Sequence, residues 1–194
     1  MKSFNIYLCG VGGQGVGLLS EILLRGADHA GIEVKAVDTH GLAQRGGVVV
    51  SHLRLGDKLH SPMISARTAD LVVALERHEA MRGADRALRD GGCLIYFNTV
   101  LQPLNVRLGL DKEVSEEILN THCSARKIAV YKVDNKTLDD PRMQNIALLA
   151  NINKMNLLPQ VKTEHLLEAM EDLMEGAMLQ NNMAIFKKMA NYSS

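Results

Sequence analysis

The chain has 194 residues, with 22 Lys plus Arg balanced by 22 Asp plus Glu. The two signs are interspersed, so no basic field exists to hold nucleic acid, and the 46% apolar content excludes a disordered or fibrous chain. No apolar run approaches the ~18 residues of a membrane span, and three scattered cysteines without a C-x-x-C fit a reducing cytoplasm.

"FNIYLC" (4–9) reads as a short buried strand. The glycines and Gln14 that interrupt this first apolar run speak against a signal peptide. After "GVGGQG" (10–15), Val16, Leu19, Leu23, Ala27 and Ala30 recur at helical spacing until Gly31 supplies a stop. "EVKAVD" (33–38) and "GVVVSHLRL" (47–55) are the second and third strands. "DLVVAL" (70–75) and "CLIYF" (93–97) are compact apolar runs of the kind found at the centre of a parallel sheet. The stretch between them, "RHEAMRGADRALRDGG" (77–92), is helical in composition, and "IAVYKV" (128–133) is a sixth strand.

Later helices carry visible start signals. Asp111 is expected to cap "KEVSEEILNTH", Asp140 precedes Pro141 as N-cap and first helical residue, and Thr163 is expected to cap "EHLLEAMEDLMEGAM". Met170, Met174 and Met178 then form a stripe for core or subunit packing. No strand is expected from Asn145 onward. Alternating strands and helices predict one α/β domain over 1–194. Its expected form is a three-layer, Rossmann-like, open and mostly parallel sheet with helices on both faces and a helical C-terminal portion, 144–194.

The "GVGGQG" turn satisfies G-x-G-x-x-G at Gly10, Gly12 and Gly15, between a strand and a helix. Such a turn lets a phosphate approach the backbone and the helix N-terminus. Asp38, at the end of the second strand, stands where a ribose-binding acid is expected. Close packing of strand on helix explains the same glycines, so both readings stand. Against a nicotinamide site, there is little room for a substrate domain. There is also no Tyr-x-x-x-Lys pair, and the adjacent Tyr131 and Lys132 face opposite sides of a strand.

"DTHGLAQRGGVVVSHLRLG" (38–56) is a second motif. A polar turn with His40, Gln44 and Arg45 leaves the carboxyl edge of the second strand, where ligands meet open α/β sheets. Arg45 offers a planar fork for a carboxylate or phosphate, and Gly46 and Gly47 leave the approach open. A solvated loop with a turn glycine pair is the plainer alternative.

"GVGGQG", "HGLAQRGG", "VVSHLRLG" and "SPMI" (61–64) together resemble the gamma-type domain of the 2-oxoacid:ferredoxin oxidoreductases, and the second motif resembles its indolepyruvate (arylpyruvate) branch. "NIALLA" (145–150) and "NNMAIF" (181–186) resemble that family's C-terminal helices, although Ala150 stands where glycine is common. The resemblance implies a small subunit of a cytoplasmic complex. The complex would convert a 2-oxoacid to acyl-CoA and carbon dioxide while reducing ferredoxin. Thiamine diphosphate, Mg and iron–sulfur clusters would lie on a large partner subunit, with coenzyme A as co-substrate; the isolated chain would be inactive and could form a homodimer. A free-standing nucleotide-binding domain, NAD(P)-linked or regulatory, is the alternative.

The expected contacts are therefore Gly10, Gly12, Gly13, Gln14, Gly15, Gln44, Arg45, Gly46 and Gly47 for a cofactor, with His40 and Arg45 as candidates near the chemistry. No metal site is expected, because no histidines pair at i, i+4. Cys9 and Cys93 lie in strands and should be inert. Glu76 and Arg77 follow the fourth strand, either lining the cleft or starting a helix.

Overall fold

The computed structural model describes residues 3–40, 47–101, 108–109, 112–134, 138 and 140–191, apart from the side chains of His40 and Pro141. Six strands form one sheet: β1 (Phe4–Val11), β2 (Val34–His40), β3 (Val48–Leu55), β4 (Ala69–Ala74), β5 (Leu88–Phe97) and β6 (Ala129–Val133), in the order β2-β3-β1-β4-β5-β6. The helices are α1 (Val16–His29), α2 (Arg77–Arg86), α3 (Glu116–Ala125), α4 (Gln144–Lys154), α5 (Thr163–Leu173) and α6 (Gly176–Ala190). None of the described helices is long and apolar enough to cross a membrane.

β1 pairs in parallel with β4, β4 with β5 and β5 with β6, whereas β3 is antiparallel to both β1 and β2. Residues 41–47 alone join β2 to β3, too few for a crossover, which takes a dozen or more. The chain therefore turns back, and β3 lies between the first strand and the second. The β1–α1–β2 unit strides over it.

Side-chain alternation divides the core in two. Ile6, Leu8, Leu53, Leu55, Leu71 and Val73 face α1, α4, α5 and α6. Cys9, Val72, Ala74, Leu94 and Tyr96 face α2 and α3. α4 is buried almost all round, from Ile146 to Ala150, which explains why its sequence shows little amphipathic contrast. α5 lies against α1 where Gly26 leaves room: a Cβ there would come within 2.8 Å of Leu166 Cδ2. His29 Nε2 is 2.9 Å from Asp172 on the same contact.

The observed architecture agrees with the expected layers, with several differences in detail. β5 begins at Leu88, so the helix before it stops at Arg86 and does not run to Gly92. Leu88 is fully buried and pairs with Ala69. Arg126 then ties the two elements together, donating to the carbonyl oxygens of Ala84 and Leu88. α3 starts at Glu116 under a cap from Ser115, whose Oγ accepts from Ile118 N–H at 3.2 Å; residues 112–115 are not helical, and Asp111 lies outside the described residues. Asp140 does cap its turn, accepting from Arg142 N–H at 2.9 Å. Thr163 does not cap α5: it is the first helical residue, and its hydroxyl donates to Asn153 Oδ1 at 3.1 Å. The long C-terminal helix breaks at the extended residue Met174, so Met170 and Met174 are buried while Met178 is 51% exposed.

Candidate functional site

The glycine turn leaves β1 and enters α1 with both flanks tied. On one side Gly12 N–H donates to Gly47 C=O at 2.8 Å, and Val11 and Gly10 pair with Val48 and Val49. The two sequence motifs therefore meet through backbone. On the other side Gln14 is 5% exposed. Its Oε1 accepts from Val11 N–H at 2.7 Å, and its Nε2 donates to Leu75 C=O at 2.8 Å and lies 3.4 Å from Gln144 Oε1. Asn145 Nδ2 reaches Gly15 C=O at 3.4 Å.

These amides fill the crevice between β1 and β4. The helix after β1 and the helix after β4 leave to opposite faces there, which makes it the topological switch point of the sheet. Gln14, expected among cofactor contacts, is instead turned inward with both ends of its amide engaged. Sequence reading missed Gln144 and Asn145 as partners of the glycine turn, and the signal for them is two amides placed directly before the apolar run Ile146–Ala150.

The glycines divide by role. A Cβ on Gly10 would meet Val16 Cγ2 at 2.9 Å and Leu75 Cβ at 3.1 Å, so this glycine serves packing. Gly15 has φ +80° and forms the N-cap of α1, where a Cβ would lie 2.5 Å from Asn145 Nδ2. Gly13 has φ +101° and faces open space, as does Gly17. Gly12, Gly13, Gly15, Val16, Gly17 and Val49 line an open groove of about 240 Å³. No side chain caps α1 and no acid stands in its first turn. Its leading N–H groups have no carbonyl of their own helix to meet, and their partial positive charge faces this groove. The groove can take an anion, and its described lining residues bring no acid–base pair to that anion.

The geometry argues against a dinucleotide. In dinucleotide-binding folds the strand with the ribose acid lies directly beside the first strand. Here β3 intervenes, and strands are ~4.8 Å apart, which sets Asp38 about 10 Å from β1. Asp38 is exposed and lies 3.5 Å from Ser20 Oγ. Ser51, beside it on β3, is buried, and its hydroxyl has no hydrogen-bond partner among the described residues.

His40 ends β2 opposite Val49, while its side chain and residues Gln44, Arg45 and Gly46 lie outside the described residues. The rest of the second motif is structural. His52 is buried, and its Nδ1 accepts from Ile64 N–H at 3.2 Å, which locks "SPMI" over β3. Burial pushes the His52 imidazole below its ordinary value. Arg54 donates to Asn5 Oδ1 at 2.9 Å and to Ser61 C=O at 2.9 Å.

Glu76 and Arg77 start α2 and do not line the groove. Glu76 accepts from Glu79 N–H at 3.0 Å, and Arg77 donates to Asn98 Oδ1 at 2.7 Å. Among the described residues no three His, Cys, Asp or Glu side chains converge on a metal. Cys9 on β1 and Cys123 on α3 belong to the core under α2 and α3 while Cys93 packs on the opposite side of the sheet, so the cysteines do not fit a cluster. Burial raises all three thiols, Cys93 to about 11, which leaves them un-ionised and unreactive.

The fold is thus a mixed-sheet α/β domain whose glycine turn, at the switch point of the sheet, is sealed by buried amides. A family model described as pyruvate ferredoxin/flavodoxin oxidoreductase matches residues 5–192, and the chain belongs to that family. It is 31% identical over 189 residues to the indolepyruvate oxidoreductase subunit IorB of Archaeoglobus fulgidus, covering 94% of this chain and 92% of that protein. The fold resembles pyruvate oxidoreductase subunit PORC of Thermotoga maritima, with a TM-score of 0.69 and 18% identity, over 98% of this chain and 97% of that one. It also resembles the 2-oxoglutarate:ferredoxin oxidoreductase of Magnetococcus marinus, solved with 2-oxoglutarate, coenzyme A and succinyl-CoA, with a TM-score of 0.73 and 20% identity. There it covers 100% of this chain but 32% of the longer one.

Proposed function

We propose that this chain is the small subunit of an indolepyruvate-type 2-oxoacid:ferredoxin oxidoreductase. It would work in the cytoplasm with a large subunit that carries thiamine diphosphate, Mg and iron–sulfur clusters. The observation that carries this reading is the 31% identity to IorB along nearly the whole of both chains. The dispersed cysteines support assigning the clusters to the partner. The thiamine and clusters supply decarboxylation and one-electron transfer to ferredoxin. This chain contributes a preformed groove at the N-terminus of α1, suited to a phosphate of coenzyme A or of thiamine diphosphate presented by the partner. Arg45, next to Gly46 and Gly47, supplies a cation for that anion or for an acid of the large subunit.

Co-expression with the candidate large subunit, followed by an assay of viologen reduction, tests the reading. Reduction should require an arylpyruvate, coenzyme A and both chains, and each chain alone should be inactive. Failure of the two chains to associate would overturn it. So would a low-micromolar dissociation constant for NAD in calorimetry of this chain alone, about −8 kcal/mol, by moving the function to a nucleotide-binding domain.

A further inference from the structure

We propose that His78 is an acid-released clasp that holds the backbone at Val114, and with it the start of α3, against the first turn of α2. Three consecutive residues, Glu76, Arg77 and His78, grip the backbone ahead of α3 at the carboxyl edge of β4 and β5. His78 Nε2 is 3.2 Å from the backbone nitrogen of Val114. A backbone N–H only donates, so Nε2 is the unprotonated nitrogen. The ring proton then sits on Nδ1 and is donated to Glu76 Oε1 at 2.9 Å. Both residues are buried, at 7% and 1% exposure, so water does not readily substitute for either bond.

Adding a proton at Nε2 sets two donors face to face, and Val114 N–H loses its acceptor. Glu76 is already engaged: Oε1 accepts from the ring and from Leu101 N–H at 3.3 Å, and Oε2 accepts from Glu79 N–H. The charged ring stays in place, because Glu76 then forms an ion pair with it. The other charges nearby are Glu79, Arg82 and Arg86 on α2, Glu113 and Glu116 at the α3 side, and Lys132 with Asp134 beyond Glu116. Arg77 donates to Val114 C=O at 3.3 Å and keeps its charge throughout, so release is confined to the amide side. The result is a local loosening, with the sheet intact, at the edge on which the glycine groove also opens. This inference does not depend on the proposed complex.

The test is made by NMR on the whole chain. Long-range ¹H–¹⁵N spectra should show the Nδ1–H tautomer of His78 at about pH 8. Hydrogen exchange, corrected for its intrinsic pH dependence, is then compared at about pH 8 and about pH 5.5, the interval in which histidine changes charge. Protection of the Val114 amide should fall about tenfold on acidification, the size of one hydrogen bond's net contribution. The Leu75 amide, bonded to Cys9 C=O at 2.9 Å, should stay protected. His78→Gln, whose amide oxygen can accept from Val114, should keep protection at both pH values, and His78→Leu should lose it at both. The Nε2–H tautomer, equal protection of Val114 at the two pH values, or the same acid response in His78→Gln would each overturn the proposal. If His78→Leu fails to fold, the wild type and His78→Gln still decide.

Discussion

Gln14→Met removes the amide that seals the crevice between β1 and β4 while keeping nearly the same length and volume. The wild-type side chain makes two short bonds, to Val11 N–H at 2.7 Å and to Leu75 C=O at 2.8 Å. The thioether leaves both backbone groups without their partner in a site that is 5% exposed. A buried group left unsatisfied costs about 1–3 kcal/mol. Two such groups, less some gain from a more apolar side chain, give a loss of about 2–4 kcal/mol. That is a large share of the 5–15 kcal/mol typical of a whole domain. Urea unfolding of the isolated chain should show a lower midpoint at unchanged slope, since the surface exposed on unfolding hardly changes. Near this chain length each kcal/mol corresponds to about 2–4 °C in melting temperature, so the melt should drop by roughly 4–16 °C. Gln14→Glu should be worse at neutral pH, because a carboxylate faces the Leu75 carbonyl, and should recover in acid as the group regains a donor. A loss below ~0.5 kcal/mol in Gln14→Met, the usual size at an unconstrained surface position, would refute the assigned sealing role.

Gly13→Ala should cost about 1–2 kcal/mol from its positive φ alone. Gly15→Ala should cost at least ~1 kcal/mol more, because its Cβ also meets Asn145; equal losses in urea titrations would contradict the contact. Burial raises the Glu79 carboxyl, with Arg82 pulling the other way, so its neutral form is favoured in the folded chain. Its stabilising contribution is therefore present below the ordinary carboxyl value of about 4.3 and is lost as pH rises through the folded value. Glu79→Gln should accordingly gain stability on the wild type between about pH 4 and about pH 7, and a constant difference in urea midpoints would show that Glu79 ionises as it does unfolded. In the reconstituted complex, Arg45→Ala should lose roughly 2–5 kcal/mol in assembly or turnover, while the isolated chain changes by no more than ~0.5 kcal/mol. Arg45→Lys should rescue poorly, and wild-type assembly and turnover in Arg45→Ala would rule the role out.

Periodicity and turn chemistry made the six strands and most helices legible, because each is encoded within a few neighbouring residues. The turn at 10–15 is likewise a local object, and its wording together with that of 38–56 pointed to the family. Boundaries were misread where a local preference met a distant partner. "LRDGG" has helical or turn composition, yet Leu88 is drawn into the sheet beside Ala69 and the carbonyls around it are held by Arg126. The roles of the motif residues were further out of reach. Gln14 looks like a ligand contact until Leu75 and Gln144 close on it, 61 and 130 positions away.

By itself the sequence determined the layer architecture, the glycine turn and the wide spacing of the three cysteines. All of these follow from residue type and spacing along the chain. Only the tertiary structure decided that β3 lies between β1 and β2, that the Gly12 amide is taken by the Gly47 carbonyl, and that Asp38 stands a strand too far for a ribose. Strand order is set by which apolar faces bury together across the whole chain, and no short window of residues contains that choice.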